Sequence, residues 1–119
     1  MTPFGARLRG LRTQRGMTLA ELASQMQISA AYLSALEHGH RGAPSSGLIH
    51  QVCEVFGLIW DEADELTRLA RLSHPRVTVD TAGLSPDQTA FANRLSQTIR
   101  RLRPEIIADL HAVLDRAGL

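Results

Sequence analysis

The sequence contains no lysine, one cysteine, few aromatic residues and no long apolar run. The lone Cys53 excludes an intramolecular disulfide and a zinc knuckle built from paired cysteines. A transmembrane helix needs about 20 consecutive apolar residues, so these residues do not encode one. Three Phe, one Trp and one Tyr are too few to form a stacking platform for single-stranded nucleic acid. A packed hydrophobic core must therefore hold the fold together.

What is present suits a small folded protein, with 119 residues, 44% of them hydrophobic, and a net charge of +1. The charge is unevenly distributed. Residues 1–52 carry five arginines against two acids, residues 53–75 carry two against five, and residues 76–119 carry six against five. The basic first segment favours a polyanionic partner. Arginines also stand where a secretory signal has its apolar run, so we expect a cytoplasmic protein without membrane association.

Helical spacing of apolar residues predicts five short helices between residues 4 and 72. Thr18 with Glu21 has the spacing of a capping box at the start of the second helix. Ser29 is suited to begin the third helix and Gly39 to end it. Two short helices joined by a tight turn have the spacing of a helix-turn-helix.

The pattern changes after Pro75. Residues 76–80 alternate in period two and form the only candidate strand, which either pairs with a symmetry mate or lies as an extended linker. Start and stop signals then predict helices over about 86–102 and 104–117. The predicted organisation is a domain over 1–73 and a C-terminal dimerisation segment over 74–119.

The last two helices each carry a short apolar face, and the final 44 residues are too few to bury both faces alone. We therefore expect these faces to meet the other domain or another subunit. The dimerisation residues that we predict are Val77, Val79, Phe91, Leu95, Ile99, Leu102, Ile106 and Leu110.

Residues 4 to about 70 resemble the XRE/Cro-type, phage-repressor-like DNA-binding domains. The motifs that carry the resemblance are LRGLR at 8–12, GMTLAELA at 16–23, ISAAYLSALEHG at 28–39, Pro44-Ser45 and the apolar pattern from Leu48 to Leu58. The resemblance implies an all-α fold, in which a five-helix helix-turn-helix domain precedes a short extended segment and two C-terminal helices. One departure is Gln27, which stands where the family usually has glycine at the turn and can adopt the left-handed conformation at a cost of roughly 1 kcal/mol.

The resemblance also implies that the helix beginning at Ser29 enters the major groove. The DNA-contacting residues that it implies are Thr18, Ser29, Ala30, Ala31, Tyr32, Ser34, Ala35, His38, His40 and Arg41. Alanine cannot donate a hydrogen bond, so we expect modest base discrimination through thymine methyl groups and Ser34. Phosphate contacts are expected from Thr18, the amides at the start of the second helix, and the loop residues.

Arg12 and Glu37 match the structural ion pair of this family, which implies that they orient the recognition helix against the first helix. Removing one member of such a pair costs about 3–5 kcal/mol, because the other is left buried without a partner.

Other chemistry has little support in the sequence. His38 and His40, or His50 with Cys53 and Glu54, have too few convergent ligands for a metal site. Cys53 lies among apolar positions, which favours a core thiol over a redox sensor. No nucleophile motif accompanies the serines. We therefore expect no catalytic residues, no metal and no cofactor.

The leading hypothesis is a homodimeric transcriptional regulator, expected to be a repressor, on a palindromic DNA operator with half-sites about 34 Å apart. One alternative is an antitoxin-type regulator whose tail neutralises a toxin. A second is a protein-interaction module that has lost DNA binding. A small-molecule sensor is disfavoured, because the C-terminal segment is too short to enclose a typical pocket.

Overall fold

Seven α-helices and one 3₁₀ turn make up the computed structural model, which describes residues 1–119. In chain order the helices are α1 (Pro3–Gln14), α2 (Leu19–Met26), α3 (Ala30–His38), α4 (Ser46–Phe56), α5 (Asp61–Arg71), α6 (Pro86–Thr98) and α7 (Pro104–Arg116). The predicted all-α class is confirmed. No helix combines the length and apolar character that a membrane crossing requires.

Local capping explains where most of these helices begin. Thr2, Thr18, Ser29, Ser45 and Ser85 each accept a hydrogen bond from the backbone N–H three residues further on, at 3.0–3.2 Å. These bonds satisfy amides that have no partner within the helix. The capping box is complete only in α6, where the Gln88 side chain returns the bond. At Thr18 only the first half of the predicted box forms.

The α2–α3 connection needs a left-handed residue, and Gln27 supplies it with φ 55° and ψ 41°. Its N–H bonds back to Ser24, and the N–H of Ile28 bonds back to Ala23, at 3.2 and 3.0 Å. Met26 and Leu33 on either side of the turn are fully buried. Burial of these side chains offsets the strain of a non-glycine residue in this conformation.

The chain divides into two compact units, Met1–Val77 and Thr78–Leu119. In the first unit α1 packs on α3 and α5, α2 packs on α3 and α4, and α4 packs on α5. The core side chains of this unit are Phe4, Leu8, Leu11, Leu22, Ala23, Met26, Leu33, Leu36, Leu48, Val52, Phe56, Leu58, Leu66 and Ala70. Ser73 connects the end of α5 to the start of α1. Its buried Oγ accepts a hydrogen bond from the N–H of Phe4 at 2.9 Å and donates one to the carbonyl of Leu69 at 2.6 Å.

The second unit contains α6, the 3₁₀ turn Ile99–Arg101 and α7, and none of the residues in these helices is buried. Helix α6 ends at Thr98 rather than near 102, and the 3₁₀ turn occupies the difference. Pro104 begins α7 and disfavours the helical conformation in the residue before it. Arg103 is accordingly extended, with ψ 156°.

Residues 76–80 form no strand within one copy of the chain, and pairing with a symmetry mate stays a prediction. The segment has no strand assignment, and Val77 and Val79 are 75% and 65% exposed. A strand needs a neighbour for its backbone hydrogen bonds, and every other element of the fold is a helix. Period-two alternation alone did not create a sheet.

Candidate nucleic-acid interface

The candidate interface consists of the predicted DNA-contacting residues, which lie at the starts of α2 and α3, along α3 and in the loop that follows α3. Thr18 and Ser29, which cap these two helices, are both exposed. Ala30 and Ala31 follow Ser29 on the first turn of α3 and are exposed as well. Ser34 and Ala35, one turn later, are half-buried. The first turn of α3 therefore presents small side chains that allow a close approach by a ligand.

Tyr32 is anchored rather than free. Its side chain is half-buried and packs against the hydrophobic core of the first unit. The guanidinium of Arg41 lies 5.5 Å from the centre of the Tyr32 ring, within the range of a cation–π contact. This contact places the charge of the loop after α3 beside the first turn of that helix.

His38 is held against its own helix. Its Nδ1 lies 2.8 Å from the carbonyl oxygen of Ser34, and a carbonyl oxygen accepts only, so Nδ1 carries the proton in this contact. The His38 and His40 rings stack with centroids 6.3 Å apart. Nε2 is thus the atom of His38 available to a ligand.

Arg12 and Glu37 join α1 to the last turn of α3. Arg12 Nη2 donates to Glu37 Oε1 at 3.1 Å, and Arg12 Nε donates to Oε2 at 3.3 Å. Arg12 Nη1 also donates to the carbonyl of Met17 at 3.1 Å, which fixes the start of the turn into α2. The Glu37 side chain is 2% exposed and that of Arg12 is 14% exposed. This one guanidinium therefore positions both helices of the candidate interface.

The other residues of a type that could bind a metal, His50, Cys53 and Glu54, lie on α4. His50 Nε2 lies 2.9 Å from Glu54 Oε1, and both side chains are exposed. Cys53 is half-buried against the core, and burial raises the pKa of its thiol. A raised thiol pKa disfavours the reactive thiolate.

Sequence reasoning missed the contacts of three basic residues outside α2 and α3, namely Arg15, His74 and Arg76. Arg15 donates to the carbonyls of Val55 and Phe56 at 2.8 and 3.0 Å, tying the end of α1 to the end of α4. His74 and Arg76 line a cleft together with residues of the loop after α3. No local motif marks His74 or Arg76, because only the tertiary fold brings them there.

The predicted dimerisation residues lie along the exposed segment after His74 and on the helices of the second unit. Phe91 is 60% and Ile99 52% exposed, while Leu95 and Leu102 are half-buried. An apolar cleft of about 240 Å³ runs between the helices of this unit. It is lined by Leu95, Ile99, Leu102, Ile107, Leu110, His111 and Leu114.

Residues 3–66, just over half of the chain, match the family model described as a helix-turn-helix domain. The chain belongs to this helix-turn-helix family. The match contains all of α1–α4 and the first half of α5. It agrees with the phage-repressor-like resemblance of the same region.

Curated relatives match a similar length of chain. The HTH-type transcriptional repressor RghR of Bacillus subtilis (strain 168) is 36% identical over 61 residues, which is 51% of this chain and 45% of RghR. The transcriptional regulator ClgR of Mycobacterium tuberculosis is 35% identical over 71 residues, covering 56% of this chain and 62% of ClgR. The HTH-type transcriptional regulator RamB of the same species is 40% identical over 57 residues but is covered to only 12%. The chain thus spans less than two thirds of each of these relatives.

Among solved structures, a chain of the SinR protein/SinI protein complex aligns with 83% of this chain and 99% of its own length. The TM-score is 0.44 and the sequence identity is 22%. This likeness is too low to support a conclusion about function.

Proposed function

We propose that this helix-turn-helix protein is a sequence-specific transcriptional regulator of double-stranded DNA, acting as a homodimeric repressor on an inverted repeat. The observation that carries the proposal is the exposed first turn of α3 together with the exposed, capped start of α2, both within the matched domain. The names of the relatives, which are transcriptional regulators and a repressor, support the same function.

Base readout is assigned to α3. Ala30 and Ala31 are exposed and apolar, so they suit the 5-methyl group of thymine, while Ser34 supplies a hydroxyl to hydrogen-bond a base edge. Ser29, Tyr32 and Ala35 complete this surface. Thr18 and the free amides at the start of α2 suit a backbone phosphate. His38, His40 and Arg41 extend the phosphate contacts along the loop.

Selection of bound duplexes from a random DNA library at moderate salt tests this proposal. We expect an enriched inverted repeat containing thymine, with half-site centres about 34 Å apart. Affinity for it is expected to fall steeply with salt, because arginine contacts to phosphate release counterions. Retention without enrichment contradicts sequence-specific binding, and no retention contradicts DNA binding itself.

The matched variants for this experiment are Ala31→Glu and Ala6→Glu, which add the same charge at exposed positions on α3 and α1. Ala31→Glu is expected to weaken binding of the enriched duplex about 100-fold, since its carboxylate removes the methyl contact with thymine and repels phosphate, a combined loss of the size of one mismatched base pair, about 1–3 kcal/mol. Ala6→Glu is expected to bind nearly as wild type. Equal losses of DNA affinity in the two variants count against α3 as the helix that contacts the bases.

The second unit is the proposed dimerisation element, and its proposed occupant is a second copy of the chain. Helices α6 and α7 bury none of their own residues, and the apolar side chains of Phe91, Ile106 and Leu110 on these helices are 38–60% exposed. A unit of this size cannot bury such a surface alone. An apolar patch of this kind is typical of an interface.

Leu110→Glu is expected to convert the protein from a dimer to a monomer of 13.0 kDa. A carboxylate in the apolar interface is left without a partner, which disfavours association. Sedimentation velocity at micromolar concentration measures the change. Ala108→Glu, an exposed position on the polar side of α7, is the control and stays dimeric. A monomeric wild type at this concentration overturns the proposed dimer.

A further inference from the structure

A basic cleft of about 430 Å³ lies in the first unit, between the loop after α3 and the segment after α5. Its lining consists of Gly39, His40, Arg41, Gly42, His74, Pro75 and Arg76. Four of these seven residues are arginine or histidine, and none is acidic. The cleft is therefore polar, positively charged and built from two segments more than thirty residues apart in sequence.

Buried contacts at the start of α1 hold the two segments together. The Phe4 N–H donates to the Oγ of Ser73, directly before His74, and Ser73 is 2% exposed. On the other side, a Cβ added at Gly39 would lie 2.9 Å from Cγ2 of Thr2, so the backbone there packs closely against the residue that caps α1. The cleft is thus a fixed feature of the first unit.

The charges that line the cleft have no acidic partner. The ion pairs of the structure involve Arg12, His50, Arg68 and Arg103, so Arg41 and Arg76 take part in none. Arg41 contacts only an aromatic face in addition, that of Tyr32. Two guanidinium groups and two imidazoles around one space offer many hydrogen-bond donors and positive charge, which is the chemistry that binds phosphate.

We propose that this cleft binds a phosphate group, with Arg41 and Arg76 as charged donors and His40 and His74 as further hydrogen-bond donors. The source that the structure favours is the DNA backbone, because Arg41 lies over Tyr32 in the first turn of α3. That assignment rests on the proposed DNA binding. It makes His74 and Arg76, which lie beyond the residues matched to the family model, part of the DNA-contacting surface.

Arg76→Ala in the full chain tests the proposal. The slope of log affinity against log salt is expected to become shallower by about one, and binding is expected to weaken alike for the enriched duplex and a scrambled one. Arg71→Ala is the control, since it removes the same charge from an exposed position in the last turn of α5 outside the cleft. Both arginines are exposed, so thermal melts of the two variants should match wild type.

A second measurement, made without DNA, separates the two sources of phosphate. Inorganic phosphate is titrated while the imidazole NMR signals of His40 and His74 are followed in wild type and in Arg76→Ala. Saturable shifts in wild type alone, with the salt slope unchanged, support the cleft as a site for a free phosphate. An unchanged slope together with no saturable shift overturns the proposal. If wild type binds no duplex, the proposed function fails, and the phosphate titration alone decides the cleft.

Discussion

Glu37→Gln is expected to lower the free energy of unfolding by about 3 kcal/mol, the lower end of the range for breaking a buried ion pair. The substitution keeps the shape of the side chain but removes the charge that faces Arg12, and the guanidinium is only 14% exposed. Water therefore cannot replace the lost carboxylate fully. Urea unfolding followed by circular dichroism at 222 nm measures the loss. An unchanged midpoint contradicts the structural role of this pair.

Two further variants identify the cause of that loss. In Arg12→Met/Glu37→Gln the stranded guanidinium is gone, so much of the stability is expected to return. Glu65→Gln serves as the exposed control, because Glu65 and Arg68 form a bidentate pair at 2.7 and 2.9 Å. The hydrogen bond from Arg68 lowers the pKa of Glu65. Both side chains are at least half exposed, so little change in stability is expected.

The same pair links stability to the proposed function. Arg12 holds Glu37 at the end of α3 and the Met17 carbonyl just before α2, so its loss frees both helices of the candidate interface. DNA affinity of Glu37→Gln should therefore fall even at temperatures where the protein stays folded. This expectation separates a positioning role from a purely thermodynamic one.

The helices of the first unit could be predicted because their signals are local. Thr18 and Ser29 bond to amides three residues away, and Gly39 ends α3 with φ 77°. Such contacts are encoded within one turn of helix. The left-handed conformation of Gln27 was likewise expected, although only the turn spacing and the family resemblance indicated it.

Features that depend on distant residues were out of reach of pattern reasoning. The hydrogen bond between Phe4 and Ser73, 69 residues apart in sequence, holds one side of the cleft in place. No motif marks His74 or Arg76 as residues that line the cleft. The pairing of Arg12 with Glu37 was expected only from the resemblance. At residues 76–80 the pattern alone left a paired strand and an extended linker open, because alternation gives a strand only where a partner strand exists.

Close packing of α1 on α3 makes Gly5 another position, besides Glu37, where a substitution is expected to lower stability strongly. Gly5 is buried, and a Cβ built on it would lie 2.8 Å from the carbonyl oxygen of Leu36 and 2.8 Å from the carbonyl carbon of Glu37. These atoms belong to the backbone of α3, which cannot rotate away as a flexible side chain does. Even a methyl group must therefore push the two helices apart.

Gly5→Ala is expected to destabilise the protein by about 3 kcal/mol, the upper part of the usual range for overpacking. Gly10→Ala, in the same helix, is the control, since a Cβ there meets nothing within 4 Å. Alanine is the better helix former, so Gly10→Ala should stabilise by about 1 kcal/mol. Urea unfolding of both variants should thus give changes of opposite sign. If Gly5→Ala stabilises as Gly10→Ala does, the close contact of α1 with the end of α3 is refuted, and with it the geometry that places Glu37 opposite Arg12.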